Sequence, residues 1–169
     1  RTKTAWVDGW RGVSEATLFA GPELLGYELL NEPVTRLCHT RYGWGGEDNW
    51  EILNKWINKA VAHIRRGGDQ CRWWDNQRPI LVTGDFYSQH WDGLELPDDD
   101  QLILSAHHYA SAALDPKVTW DARAATDEIT GLSVWEYAKL YNKPVLFTEF
   151  GAMHLPHMEP SESQIQAVK

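Results

Sequence analysis

Four short apolar runs limit this chain to a small set of folds. They span 25–31, 79–84, 102–109 and 145–150, and each is apolar nearly throughout rather than alternating with polar residues. Strands have this composition when both faces of their sheet are covered, which is typical of parallel sheets. Helical patterns or polar segments follow the first three runs, so β/α units are expected. We therefore predict an α/β fold with four parallel strands.

The helical segments are identified by apolar residues that recur on one face. The clearest spans 48–66, where Leu53, Ile57 and Ile64 share a face. Asp48 with Glu51 resembles a capping box at its start. Further helices are predicted over 8–20, over 133–141, where Ser133-x-x-Glu136 precedes the apolar positions, and over 161–169. The segment 87–100 is predicted as a loop with a short turn of helix, and its acidic stretch 97–100 as solvated.

Composition excludes several classes of protein. The 169 residues suffice for one domain, taken as 1–169, and the formal charge of −8 disfavours a nucleic-acid partner. No apolar run approaches the roughly 20 residues that a membrane helix requires. The start of the chain has no signal-peptide pattern. Cys38 and Cys71 are predicted as two free thiols, because the long helix would place them at opposite ends of the fold.

Polar side chains follow the predicted strands. Asn31-Glu32 ends the first, His107-His108-Tyr109 the third and Glu149 the fourth. Carboxyl ends of parallel strands meet at one rim, where α/β enzymes place their chemistry. Two carboxyl groups at one rim suit glycoside hydrolysis, which needs one protonated and one ionised.

Each of these residues also has a structural reading. A glutamate at a strand end is more often a solvated loop residue, and a single histidine is more often a hydrogen-bonded structural one. His107 and His108 are adjacent on a strand and point to opposite faces, so they cannot bind the same ion. We therefore predict no metal site.

Several motifs carry a resemblance to a known family. In chain order they are GYELLNEP, TGDFYSQHW, SAHHY and PVLFTEFGA. Together they resemble glycoside hydrolase family 5, whose members are retaining enzymes with a TIM (β/α)8 barrel. The resemblance implies that 1–169 is a partial glycosidase catalytic domain comprising strands four to seven, which is a half-barrel of about four strands.

The resemblance also implies residue roles. Glu32 in Asn-Glu-Pro matches the family's acid/base, with Asn31 beside it. His107 and Tyr109 match a His-x-Tyr motif that contacts the nucleophile, and Glu149 matches the nucleophile itself. The implied function is retaining hydrolysis of β-1,4-linked glucan of the endoglucanase type, without a cofactor. Whether the incomplete barrel is an active enzyme stays open. The alternatives are a non-catalytic β-glucan-binding unit and a self-assembling fragment without activity.

The ten tryptophans are divided between core and ligand use, because their flat rings also stack on sugars. Trp44, Trp91 and Trp120 are predicted to bind substrate with Tyr87, since they lie in loops after strands. Trp50, Trp56 and Trp135 lie on apolar helix faces and are predicted as core.

The expected partners follow from the fold and the family. The substrate would be a β-glucan polysaccharide or oligosaccharide, and the resemblance makes an extracellular, secreted protein the expectation. Four strands leave two open edges and an uncovered apolar face, so a homo-oligomer is expected to cover them. Neither a membrane nor nucleic acid is expected as a partner.

Overall fold

The computed structural model describes residues 2–34, 50–66, 75–109 and 130–151. Its helices and strands, in chain order, are α1 (Thr2–Thr17), β1 (Tyr27–Glu28), α2 (Trp50–Arg66), β2 (Ile80–Thr83), α3 (Asp85–Ser88), β3 (Leu102–Tyr109), α4 (Val134–Tyr141) and β4 (Val145–Gly151). The strands form one four-stranded sheet in the order β1-β2-β3-β4. All three pairings are parallel, which confirms the predicted α/β fold.

The sheet is curled into half of a barrel. In a flat sheet β1 and β4 would lie about 14 Å apart, since neighbouring strands are about 4.8 Å apart. Instead, Glu28 on β1 accepts a hydrogen bond at 3.0 Å from Thr148 on β4. One side chain thus reaches across two intervening strands, which is possible only over a concave face. This inner face is the one that carries the site.

The hydrophobic core lies between the outer, convex face of the sheet and the helices. Ile80, Val82, Leu102 and Leu104 point outward from the central strands and are fully buried. α2 covers them with the apolar stripe that the sequence predicted, and its buried residues are Leu53, Asn54, Ile57, Ala60, Val61 and Ile64. α4 covers β4, where the rings of Trp135 and Phe147 lie 5.6 Å apart.

The connection from β2 to β3 has no long helix. It is fully described and contains only α3, a single turn in which Phe86, Tyr87 and Ser88 all have positive φ. Trp91 and Leu94 fill the place that a helix would occupy and are 1% and 2% exposed. The Trp91 ring packs 5.8 Å from the ring of Tyr137 on α4.

Several predicted boundaries were wrong, each for a physical reason. β1 is shorter than the predicted 25–31, and Leu25 is 81% exposed. Close pairing begins after Gly26, where a Cβ would lie 2.6 Å from the Pro79 carbonyl oxygen. α1 begins well before residue 8. Ser133 does not cap α4 with its side chain but donates to the Gln89 carbonyl.

The acidic stretch at 97–100 was only partly predicted. Asp99 is not solvated, because Arg65 Nε donates to its Oδ2 at 2.7 Å and its side chain is 10% exposed. The start of the 48–66 helix, the 161–169 helix and both cysteines lie outside the described residues. Among the described helices, none is both long and apolar enough to cross a lipid bilayer.

Candidate active site

Three side chains converge at the carboxyl ends of β1, β3 and β4. His107 Nδ1 lies 2.9 Å from Glu32 Oε1 and 3.6 Å from Glu149 Oε2. One oxygen of each carboxylate and one His107 nitrogen all lie within 4.8 Å of one another. His107 is buried, whereas the two carboxylates are partly open to solvent. The predicted pair of glutamates is therefore brought together at one rim, with an imidazole between them.

Tyr109 completes this group from the end of β3. Its Oη donates to Glu149 Oε2 at 2.9 Å. That hydrogen bond, together with burial and the charges of Glu149 and Glu32, raises the pKa of Tyr109 above its usual value. Tyr109 is therefore held as a neutral donor beside Glu149.

Glu32 has a strained backbone. Its φ is 41°, which lies in the left-handed region, and Pro33 follows it directly. A left-handed conformation costs a residue with a side chain about 1–2 kcal/mol, and such strain is concentrated at functional sites. Here the turn directs the carboxylate toward His107 on the inner face rather than into the loop.

A β-bulge positions Glu149. The β3–β4 register shifts between Ala106, which pairs with Phe147, and His107, which pairs with Glu149. Thr148 is the extra residue, so Thr148 and Glu149 both point to the inner face. In a regular strand these neighbours would point to opposite faces.

A second polar group lies on the inner face beside the first. Ser105 Oγ lies 2.6 Å from Thr148 Oγ1 and donates to Glu28 Oε1. Thr148 Oγ1 also donates to Glu28 Oε1, at 3.0 Å. The sequence analysis assigned no role to any of these three residues. The available signals were a carboxylate inside an apolar strand, four residues before Glu32, and a hydroxyl directly before Glu149.

The predicted sugar-stacking residues divide into three groups. Tyr87 is 41% exposed on α3, after the end of β2, and stays a candidate. Trp91 is wrong as a stacking residue, because its ring is buried against Tyr137 and closes the outer core. Trp44 and Trp120 lie outside the described residues. Asn31 is exposed directly beside Glu32.

The geometry of a cation site is partly present. Glu32, His107 and Glu149 offer three ligand atoms that could approach one metal ion. His108 cannot join them, because strand alternation turns it to the outer face, where its Nε2 is buried without a hydrogen-bond partner in the described part of the chain. The absence of a native metal stays a prediction. This arrangement can support a reaction in which one carboxyl group transfers a proton and the other attacks a substrate atom as a nucleophile.

Comparison with known proteins gives one family match. The family described as cellulase (glycosyl hydrolase family 5) matches residues 2–168. No curated protein sequence matches the chain significantly.

Solved structures match the fold. The endoglucanase Cel5A from Thermotoga maritima has a TM-score of 0.71 at 19% identity, over 97% of this chain and 52% of that one. A broad-specificity endoglucanase from Clostridium longisporum has a TM-score of 0.67 at 24% identity, over 90% of this chain and 45% of that one. The cellulose synthase subunit Z from Clostridioides difficile has a TM-score of 0.69 at 19% identity, over 96% of this chain and 52% of that one. The chain thus spans about half the length of these structures.

Proposed function

Because the chain belongs to the cellulase family, glycosyl hydrolase family 5, we propose that it hydrolyses β-1,4-linked glucan with retention of anomeric configuration. The observation that carries the proposal is the approach of the Glu32 and Glu149 carboxylate oxygens to within 4.8 Å. Retaining glycosidases place their two carboxyl groups about 5–5.5 Å apart, whereas inverting enzymes leave about 6.5–9.5 Å for a water molecule. An approach of the nearest oxygens to within 4.8 Å supports the shorter, retaining spacing.

The first half of the reaction uses both carboxyl groups. Glu149, as carboxylate, attacks the anomeric carbon while Glu32 donates its proton to the glycosidic oxygen. The bond from the anomeric carbon to that oxygen breaks, and a glycosyl ester of Glu149 forms. In the second half Glu32 takes a proton from water, the water oxygen attacks the anomeric carbon, and Glu149 leaves as carboxylate.

The neighbouring side chains have defined tasks in this scheme. Tyr109 donates to Glu149 Oε2 and so fixes the carboxylate in one orientation. His107 lies between the two carboxyl groups and separates their charges, with its Nδ1 at 2.9 Å from Glu32. Asn31 would hold a sugar hydroxyl beside the acid, and Tyr87 would supply an exposed ring for stacking.

The substrate class follows from the family and from similar structures. Two of the three similar structures named above are described as endoglucanases, one of them with broad specificity. A β-1,4-glucan is therefore the first candidate substrate, and cellulose, mixed-linkage glucan, xyloglucan and mannan are the polymers to compare. A polymer of this kind lies outside the cell, so we also propose a secreted protein.

A second candidate function is β-glucan binding without turnover. It is favoured by the open inner face, where Leu146 on β4 is 48% exposed. Binding measured by calorimetry with no release of reducing sugar from the same sample would support this candidate over hydrolysis.

We also propose that a second copy of the chain covers the exposed apolar surface. Phe150 on β4 pairs with His108 on the outer face of the sheet and is 72% exposed. The proposal expects light scattering at micromolar concentration to give at least twice the mass of 19.4 kDa. A monomer at that concentration would contradict it.

The catalytic assignment is tested by removing one carboxyl group at a time. We expect Glu149→Gln and Glu32→Gln each to lower kcat on a soluble β-1,4-glucan by at least about 1,000-fold, since each removes one of the two groups in the mechanism. Glu51→Gln, the same exchange at an exposed position of α2, is the matched control and keeps wild-type activity. Undiminished activity in Glu149→Gln would refute the assignment.

A further inference from the structure

Thr148 stands in an unusual position next to Glu149. It is the extra residue of the bulge, and its hydroxyl has two partners on two other strands, Ser105 on β3 and Glu28 on β1. A bulge is a local departure from regular pairing, and a regular strand would remove it by shifting register by one residue. Such a shift would turn either Thr148 or Glu149 away from the inner face.

The partners of Thr148 oppose that shift. Ser105 is fully buried, so its Oγ is a fixed point on the central part of β3. Ser105 Oγ and Thr148 Oγ1 lie 2.6 Å apart, and the Glu28 carboxylate accepts from both hydroxyls. A Thr148 side chain turned to the other face would lose both contacts.

We infer that Glu28, Ser105 and Thr148 form a positioning cluster that holds the β4 bulge and thereby aims the Glu149 carboxylate at the substrate. None of the three contacts the Glu32–His107–Glu149 group in the described hydrogen bonds, so they act through the backbone of β4. The inference rests on the proposed function, because it assigns Glu149 the nucleophilic role.

The cluster also connects the segment that carries Glu32 with the strand that carries Glu149. Glu28 ends β1 and lies four residues before Glu32, and Thr148 directly precedes Glu149. A contact between Glu28 and Thr148 therefore fixes the distance between β1 and β4 across the concave face. The spacing of the two catalytic carboxyl groups depends on that distance.

The test compares variants that remove or keep the contacts. Thr148→Val keeps the shape of the side chain and removes the hydroxyl, whereas Thr148→Ser keeps the hydroxyl. Glu28→Ala removes the acceptor, whereas Glu28→Gln keeps one acceptor oxygen. Thr17→Val is the matched control, because Thr17 lies on α1 and its hydroxyl bonds to Val13 and Tyr27 rather than to the site.

The expected result is a loss in kcat with little change in KM. Thr148→Val and Glu28→Ala should lower kcat by about 10- to 100-fold, the cost of a misplacement of about 1 Å. The same loss is expected on a dinitrophenyl cellobioside. Its leaving group departs without a proton from Glu32, so the loss remains if it is Glu149 that is misplaced. Thr148→Ser and Glu28→Gln should restore most of kcat, and Thr17→Val should equal wild type.

A crystal structure of Thr148→Val gives a readout that needs no turnover. The inference predicts a lost or shifted bulge, with the distance from Tyr109 Oη to Glu149 Oε2 increased from 2.9 Å to beyond hydrogen-bonding range. If Thr148→Val does not fold, the structure of Glu28→Ala provides the same measurement.

Two results would overturn the inference. One is an unchanged bulge and unchanged kcat in Thr148→Val. The other is a loss of kcat on β-1,4-glucan that disappears on the dinitrophenyl substrate, which would show that proton donation by Glu32, and not the position of Glu149, is impaired. An inactive wild-type protein would instead contradict the proposed function, and the crystal structures would still decide whether the cluster holds the bulge.

Discussion

At the scale of single residues, the pKa of Tyr109 depends on the charge of Glu149 and can be measured without substrate turnover. The hydrogen bond from Tyr109 to Glu149 raises the pKa of Tyr109 above its usual 10.0, with added contributions from burial and the carboxylate charges. Ionising the phenol would remove the donor and place a second negative charge beside the carboxylate. The titration of this one side chain is therefore coupled to the site.

We predict that Glu149→Gln lowers the pKa of Tyr109 toward 10.0, because a neutral amide does not oppose the phenolate as a carboxylate does. The measurement is an NMR titration of ring-labelled tyrosine, with Tyr109→Phe identifying the signal. Glu51→Gln should leave that titration unchanged. A Tyr109 pKa that is equal in wild type and Glu149→Gln would show that the two groups are not coupled in solution.

The sequence motifs predicted some residues of the candidate site, whereas others are recognised only from the geometry of the structure. The motifs named Glu32, His107, Tyr109 and Glu149, and the structure brings these four side chains together. Their chemical roles stay predictions. Glu28 and Thr148 were given no role, because their importance depends on a one-residue register shift that no pattern of residue types reveals. Trp91 was misassigned because the sequence alone does not show whether a tryptophan in a loop is exposed or packs into the core.

At the scale of elements, Asp75 ties α1, β1 and the start of β2 together. Its carboxylate accepts from Tyr27 Oη at 2.9 Å and from Arg78 Nη1 at 2.6 Å. The backbone N–H groups of Gln77 and Arg78 donate to its other oxygen. Thr17 on α1 completes the group, with its Oγ1 at 3.1 Å from Tyr27 Oη.

These contacts make stability depend on pH. Burial by itself would raise the pKa of Asp75, but the hydrogen bonds from Arg78, Gln77 and Tyr27 outweigh it and lower the pKa to about 2. The unfolded chain has the usual value of 3.8, so this stabilisation is fully present above about pH 4 and is lost as the pH falls toward 2. It amounts to about 2 kcal/mol of the free energy of unfolding.

We predict that Asp75→Asn lowers the free energy of unfolding at pH 7 by about 2 kcal/mol and flattens its pH dependence between about pH 4 and 2. Urea unfolding at a series of pH values measures both effects. Asp98→Asn, at an exposed position of the β2–β3 connection, should change neither. Equal pH dependence in wild type and Asp75→Asn would contradict the assigned contacts.

The elements themselves were predictable to different degrees. β3 has the predicted bounds and α2 ends at the predicted Arg66, because continuous apolar character and a clear stripe mark them. β1 was predicted too long, since apolar residues continue beyond the short stretch that pairs with β2. Asp99 was predicted as solvated, because its partner Arg65 lies on α2, far away in sequence.

At the scale of the whole molecule, the chain is a curled four-stranded half-barrel of the cellulase family. Glu32 follows β1 and Glu149 lies on β4, and these two strands are the edges of the described sheet. The spacing of the two carboxyl groups therefore depends on the curl of the entire sheet. Alternating strands and helices predicted a parallel sheet, and the family resemblance implied the half-barrel. The degree of curl follows from packing and could not be predicted from the pattern.

We propose that this half-barrel acts by two successive displacements at the anomeric carbon, with Glu149 as the nucleophile of the first. The most direct measurement is mass spectrometry after incubation with a dinitrophenyl 2-deoxy-2-fluoro-cellobioside, which forms the glycosyl-enzyme readily but releases it slowly. We expect one adduct of the fluoro-sugar on the peptide that contains Glu149, and none on the Glu149→Gln variant. No adduct on the wild-type protein, or an adduct on any other residue, would contradict it.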